Sequence, residues 1–189
     1  MLSLKKVSRT DELVQQNMKD HYSRPKGFMG RNLLYSITYD GKCYGTISGG
    51  SCTLHLPGRN EFFGIVPENR QLKLKQIVNN VFYHIEKING TYPIRNFVPA
   101  VLKEFRGRVI ADWYERYGDP VIGFESLVEL PRTGEIYLRD GWTLTGTTVG
   151  YTCKRVSEKI AGPSTDTFSG RKVWDTKNLR PKHVFCRLA

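Results

Sequence analysis

Asp40-Gly41 sits between two strand-like runs, Leu33 to Tyr39 and Cys43 to Ile47. An Asp-Gly pair supplies the two positive-φ residues that a type I′ turn demands, and the twist of that turn matches paired antiparallel strands. The segment predicts a β-hairpin, so every other element must be arranged around a sheet that includes it. Gly45, Gly49 and Gly50 in its second arm leave room for a bulge or for another backbone to approach closely.

The flanking chain supplies both periods. Leu2, Leu4 and Val7 alternate as a strand. Ser8 or Thr10 can cap a helix that carries Asp11 and Glu12 in its first turn and Leu13, Val14 and Met18 on its apolar face. The breaker run Arg24-Pro25-Lys26-Gly27 follows it. Residues 57–70, with Pro57, Gly58, Gly64 and Pro67, read as a long connection around Phe62 and Phe63. The next segment is ambiguous. Leu74, Ile77, Val78, Val81, Phe82, Ile85 and Ile88 fit helical spacing, yet Ile77, Val81 and Ile85 also share one face of a strand. From Ile94 to Tyr117 a helix is predicted, with Pro99 in its first turn, a stripe of Val101, Leu102, Phe105, Val109 and Trp113, and Gly118 as its stop. A strand from Val121 to Leu127, a short helix and further strands follow, then a Ser/Thr/Gly/Pro-rich loop over 157–172 and a last strand from His183 to Leu188. Strands bracketing crossover helices imply a single α/β domain layered around a mixed sheet.

The chain of 189 residues carries a formal charge of +11 and a pI near 9.6, which favours a polyanionic partner such as nucleic acid or anionic lipid. Over half of that excess lies after residue 150, where nine Lys/Arg face three Asp/Glu. Lys154, Arg155, Arg171, Lys172, Lys177, Arg180 and Lys182 are the candidate phosphate contacts, able to position a nucleic acid without reading its sequence. Cys43, Cys52, Cys153 and Cys186 show neither a CxxC pair nor zinc spacing, so no metal site is expected and a reducing cytoplasm suits them. No apolar run has transmembrane length, and no membrane partner is expected.

The candidate site residues are those whose chemistry is awkward where they stand. Glu125 lies inside an apolar run, where a carboxylate must be paired or put to use. Glu129 follows four residues later and would share its face in a regular strand, giving a pair suited to acid and base work or to binding a metal; otherwise Glu125 pairs with an arginine and Glu129 ends the strand. His21 and Tyr22 stand at a helix-to-loop boundary, where the imidazole can serve as base or acid. Asn79 and Asn80 point to opposite faces of a strand. One fixes a β-bulge or the pair binds substrate. Tyr137 and Trp142 either stack a flipped base or close a small helix onto the sheet.

An ordered series of segments carries a resemblance: HYSRPKGFMGRNLLYSITYDGK from His21, the Val78-Asn79-Asn80 run, DWYERYG at 112–118, PVIGFESLVE with its two acids, GEIYLRDGWTLTGTTVG, and PKHVFCRL. Together these resemble the DruA family of the Druantia antiphage system. More faintly they resemble Mom, the phage DNA-modification protein. Both look like variants of the GNAT acyltransferase fold. The resemblance implies a GNAT-like domain over 1–156, with 157–189 as a basic loop and closing strand of the same domain, built on a central mixed, mostly antiparallel sheet flanked by helices. It makes Ile77 to Ile85 the central strand. The activity it implies is transfer of a small group to the exocyclic amine of a DNA base, adenine first, in a bacterial host cell, to protect DNA from restriction. Glu125, His21, Tyr22 and Glu129 would then be catalytic, and Asn79, Asn80, Tyr137, Trp142 and Arg95 would bind substrate. Two alternatives follow from the same likeness, a non-catalytic DruA-like nucleic-acid-binding component and an acetyl-CoA-dependent acetyltransferase. The donor is not identified. The segment matching the GNAT pyrophosphate loop reads Arg95-Asn96-Phe97-Val98-Pro99-Ala100, without the glycine, and Pro99 removes one donor, which counts against acetyl-CoA.

Overall fold

The computed structural model describes residues 1–23, 28 and 30–150, the strands 152–156 and 171–175 as backbone, and 179–189. Its elements are β1 (Leu2–Lys6), α1 (Glu12–Asp20), β2 (Asn32–Tyr39), β3 (Lys42–Ser51), α2 (Pro57–Phe62), α3 (Arg70–Gln76), β4 (Ile77–Ile85), α4 (Phe97–Tyr117), β5 (Gly123–Glu129), α5 (Glu135–Arg139), β6 (Thr143–Thr147), β7 (Thr152–Val156), β8 (Arg171–Asp175) and β9 (Lys182–Leu188). Seven strands form one sheet in the order β1-β2-β3-β4-β5-β9-β6, while β7 and β8 pair separately. Only β4 and β5 run parallel within the large sheet. This is the mixed, mostly antiparallel α/β arrangement expected, with helices on both faces.

The hairpin forms as its turn dictates, with Asp40 and Gly41 at φ 47° and 77°. The cap of α1 is Asp11, whose carboxylate accepts the Leu13 N–H at 3.0 Å, rather than Ser8 or Thr10. The stripe on α4 buries Val101, Leu102, Phe105, Val109 and Trp113 against Tyr35, Ile47, Val78 and Phe124. Gly107 does not interrupt the helix, and Gly118 ends it at φ 72° with its N–H donated to the Tyr114 carbonyl.

One reading of the sequence is revised, and one ambiguity is resolved as the family likeness implied. The connection over 57–70 contains α2 and leads into α3. Leu56 and Phe63, flanking α2, pack on Ile77, Val184 and Cys186 and bury the face of the sheet opposite α4. The ambiguous run is a strand. Its helical spacing arises because β4 is apolar on both faces, Val78 toward α4 and Phe82 toward Val14 and Met18 of α1, while Leu74 belongs to α3.

One buried carboxylate ties the first strand to α4. Asp112 takes hydrogen bonds from Tyr35 Oη (2.9 Å) and Arg108 Nε (3.0 Å), with Lys6 Nζ 3.0 Å away. Burial pushes its pKa up, but Lys6, Tyr35 and Arg108 outweigh burial and hold it below the usual value. Asp112→Ala leaves the Tyr35 hydroxyl buried without an acceptor and is expected to cost roughly 2 kcal/mol in urea unfolding. Tyr35→Phe in the Asp112→Ala background should restore part of that loss, and strict additivity of the two changes would contradict the coupling.

Candidate functional site

The sheet comes apart in its middle. Ile77, Val78 and Asn79 pair with Gly123, Phe124 and Glu125, and there the pairing of β4 with β5 stops, although β4 runs on to Ile85 and β5 to Glu129. A register shift against β3 falls between Ser48 and Gly50, opposite the segment from Phe82 back to Asn79, so β4 carries one extra residue at the point of separation. Asn80 holds this bulge. Its Nδ2 donates to the Ser48 carbonyl at 2.9 Å, its Oδ1 accepts from Tyr137 Oη at 2.7 Å, and its own carbonyl accepts from Ser126 Oγ at 3.2 Å. The result is a fork whose closed end is crossed by Asn80, Ser126 and Tyr137 and whose two inner edges have no strand partner among the described residues.

Tyr137 is positioned by the core. Its ring stacks on Phe185 and meets Trp142 edge-on. Burial raises its pKa, so it stays protonated at neutral pH. Trp142 is buried, donates its indole N–H to Asp140 Oδ2 at 2.8 Å, and through Asp140 is tied to Arg106 of α4. The base-stacking role for this pair is therefore corrected: Trp142 is core packing, and only the Tyr137 hydroxyl reaches the fork.

On the α1 side, His21 and Tyr22 lie across the two arms. The His21 ring is 4.9 Å from Phe82 and 6.2 Å from His84 of β4, while the Tyr22 hydroxyl faces the Glu129 backbone of β5. Arg132 stacks 3.6 Å above the Tyr22 ring. Three residues expected to act together, His21, Tyr22 and Glu129, are thus brought into one neighbourhood. The chemistry of His21 differs from a base, however. Its Nδ1 accepts the Ser23 N–H, so the proton sits on Nε2, and burial, helped by His84 and Arg132, lowers its pKa to about 4. It is a neutral anchor for this strap.

Glu125 is corrected most sharply. Its side chain and that of Arg59 are both 0% exposed, with Arg59 Nη1 2.6 Å from Oε2 and the Thr53 N–H 2.6 Å from Oε1. Burial raises its pKa, with Arg59 and then Thr53 pulling the other way. With both oxygens closed off, it has no room to take a substrate proton. Glu129 does share its face, since β5 pairs with β9 without a register shift, but four strand residues set the two about 13 Å apart, too far for a dyad. Arg59 was not singled out in the sequence because it lies in the segment read as a connection. Gly58 beside it lets α2 approach β6 closely, for an added Cβ would stand 1.9 Å from the Thr145 carbonyl oxygen.

At the open end of the fork stands the start of α4, fixed by the Tyr83 hydroxyl, which donates to the Val98 carbonyl at 2.9 Å. Asn96 precedes the helix at φ 59°, its side chain does not cap, and no acidic residue occupies the first turn. The first intrahelical bond there is Ala100 N–H to Asn96 O, and among the described residues Phe97 and Val98 N–H have no backbone acceptor. Arg95 is exposed beside them. Of the basic candidates, Lys154 and Arg155 lie on β7 and Arg171 and Lys172 on β8, with Arg155 opposite Lys172 in the register. Arg180 is exposed, Lys182 opens β9, and Lys177 lies outside the described residues. Among the described residues no helix is long and apolar enough to cross a membrane.

No family model and no curated protein matches the chain. Solved structures do. Arabidopsis thaliana NAA60 in complex with a bisubstrate analogue aligns at TM-score 0.56 and 10% identity over 100% of this chain and 98% of that one. A GNAT family acetyltransferase from Elizabethkingia anophelis with acetyl-CoA bound aligns at TM-score 0.54 and 7% identity, over 100% and 98%. RimL, a ribosomal L7/L12 alpha-N-protein acetyltransferase in its apo form, aligns at TM-score 0.51 and 12% identity, over 99% and 92%. The fold is that of the GNAT acetyltransferases. The resemblance to DruA and Mom rests on the quoted segments alone. With acetyltransferases as structural neighbours, and with Glu125 and Trp142 closed into the interior, the assignment as a DNA-base-modifying enzyme is overturned.

The two buried devices make distinct predictions. Removing one partner of the Arg59–Glu125 pair strands the other, so Glu125→Ala is expected to lose about 3–5 kcal/mol, while Arg59→Met with Glu125→Leu loses much less. Equal losses in single and double variants would show that the pair is not coupled. For His21 the sign is set by a folded pKa below the unfolded one: its contribution is full above pH 6.5 and is lost as pH falls toward 4. Between pH 7.5 and 5 the wild type should lose about 2 kcal/mol more than His21→Gln in chemical denaturation. Parallel pH profiles for the two proteins would remove the anchoring role.

Proposed function

We propose that the chain is an acyl-CoA-dependent N-acyltransferase, moving an acetyl group from acetyl-CoA to an amine. The observation that carries this is the interrupted sheet: two inner strand edges without partners among the described residues, leading to a helix start where the Phe97 and Val98 N–H groups have no acceptor among them. Unpaired main-chain groups inside a sheet demand a ligand or water. An extended chain bearing amides, such as the pantetheine arm, satisfies such edges, and a pyrophosphate suits the positive end of a 21-residue helix. The residues present fit the group. Phe97 and Val98 offer amides, Pro99 offers none, and Arg95, exposed just before the helix, adds a cation. The names of the structural neighbours, among them a protein with acetyl-CoA bound, support the same reading.

The bound thioester supplies an activated acetyl group. In the transfer the amine nitrogen bonds to the thioester carbon, the carbon–sulfur bond breaks, one proton leaves nitrogen and one is gained by sulfur. Tyr137 stands at the closed end of the fork with its O–H donated to Asn80 Oδ1; it gives that proton to the departing thiolate and is restored by the proton that nitrogen sheds. Asn80 Oδ1, by accepting the Tyr137 O–H, holds the hydroxyl at that end, and Ser126 Oγ in turn holds the Asn80 carbonyl. The strap of His21 and Tyr22 shields the site from water on the α1 face.

Titration calorimetry with acetyl-CoA is expected to show binding, accompanied in NMR spectra by shifts of the Phe97 and Val98 amides. Tyr137→Phe should keep that binding and lower turnover about 10²–10⁴-fold in a thiol-release assay. Absence of heat and of amide shifts at millimolar acetyl-CoA would sink the proposal.

A further inference from the structure

Strands β6 to β9 form one long antiparallel excursion. Thr147 pairs with His183, the Thr148 N–H donates to the Lys182 carbonyl, and the Arg180 N–H donates to the Gly150 carbonyl, the last two at 2.9 Å. The Lys182 N–H also donates to Thr148 Oγ1 at 3.0 Å. Strand pairing resumes with Thr152 opposite Asp175 and runs on to Val156 opposite Arg171. The β7–β8 ribbon therefore continues the β6–β9 hairpin beyond the large sheet.

The sequence of that ribbon is one-sided in charge. Lys154, Arg155, Arg171 and Lys172 stand on β7 and β8 against a single acid, Asp175, which lies opposite Thr152 at the end nearest the sheet. Arg155 is directly opposite Lys172, a like-charge pairing that weakens an antiparallel ribbon left to itself. Strand alternation assigns that pair to one face, with Cys153 and Trp174, and assigns Lys154 and Arg171 to the other. Neither face can pack on a core without burying a charge. Both are relieved at once only by a polyanion that lies on two sides of the ribbon.

That requirement selects the partner. A flat anionic lipid surface meets one face and leaves the other unanswered. A nucleic-acid groove has two phosphate walls. The major groove of B-form DNA, about 12 Å wide, admits a two-stranded ribbon, whereas the major groove of duplex RNA is too narrow. We propose that the β7–β8 ribbon is a docking arm that enters the major groove of duplex DNA and sets its cations against the phosphates of both strands. Arg180, exposed at the root of the arm, and Lys182 extend the same charge toward the sheet. Such contacts position a protein without reading sequence. The arm uses no residue of the fork, so it stands apart from the acyl-transfer reading. It fixes where the protein works and assigns no chemistry to a base.

The full chain is titrated by fluorescence anisotropy with a labelled random-sequence DNA duplex, with the same sequence as duplex RNA, and with vesicles of phosphatidylcholine and phosphatidylserine. DNA binding is expected to weaken about 10³-fold between roughly 50 and 200 mM salt, as six phosphate contacts require. Changing Lys154, Arg155, Arg171 and Lys172 together to Gln should hold Tm and flatten the log–log salt slope by about 3 to 4 units. A control variant, with the exposed Lys5, Lys19, Lys42 and Lys103 changed to Gln, loses the same charge and should keep the slope. If the first variant fails to fold, two smaller ones carry the test, Arg155→Gln with Lys172→Gln and Lys154→Gln with Arg171→Gln. Each should flatten the slope by about 2 units. Equal losses in the ribbon and control variants would reduce the effect to net charge and overturn the arm. A response from one face alone, or tighter binding to the RNA duplex or the vesicles, would overturn the groove.

Discussion

A peptide group inside a sheet needs a partner, and in this chain the separation of β4 from β5 removes that partner over several residues. Much of the architecture follows from how the deficit is met. Asn80 spends its amide on the bulge, Ser126 covers one carbonyl and Tyr137 closes the far side, so that the closed end of the fork is satisfied. The open end is not. Because β4 and β5 are parallel, their connection must be a long crossover, and α4 supplies it. A crossover helix necessarily begins near the carboxyl end of the strand before it. The positive end of the α4 dipole and its free amides are therefore delivered to the mouth of the fork by topology.

Glu125 shows how a residue can be singled out correctly and assigned wrongly. A carboxylate in an apolar strand must be paired or used, and the sequence alone left both outcomes open. The deciding partner is Arg59, on a helix that forms only because Leu56 and Phe63 find the sheet. Once formed, the pair is costly to break from one side, which suits a clamp at the last paired position of β4 and β5. The carboxylate that looked reactive helps to hold the fork shut at its closed end.

The same division runs through the rest of the molecule. The Asp40-Gly41 hairpin, the α4 stripe and the Gly118 stop were readable because each is fixed by neighbours in sequence. The short helices α2 and α3 were not, since Pro57, Gly58 and Gly64 carry loop signals that tertiary packing overrides. The strand over Ile77 to Ile85 needed the family likeness, because apolar residues on both faces erase the period of two. At the site, His21, Tyr22 and Glu129 could be named but not joined. Their meeting depends on a strap laid across two strands, one about 60 and the other about 110 residues further along the chain, for which no local pattern exists. The bulge at Asn80 was foreseeable as a buried amide with few other occupations, whereas the exposure of Val81 on the central strand appears only once every neighbouring element is in place.

The missing glycine in the Arg95–Ala100 segment bears on what such a motif requires. Glycine in a phosphate loop supplies permissive backbone angles and room for close approach. Here the left-handed residue is Asn96, one of the few side chains that tolerate that region, and it leaves the helix start uncapped. Pro99 falls at the third helical position, where it removes one of the initial free amides and leaves Phe97 and Val98. The positive end of the helix is unaffected, since it arises from all of its peptide groups and no acidic side chain in the first turn opposes it. What the substitution gives up is one donor and some clearance around Val98. Under the proposed acetyl-CoA reading, that is a difference in affinity and in the fit of the pyrophosphate, and the thioester chemistry proposed for Tyr137 lies at the other end of the fork, away from the change.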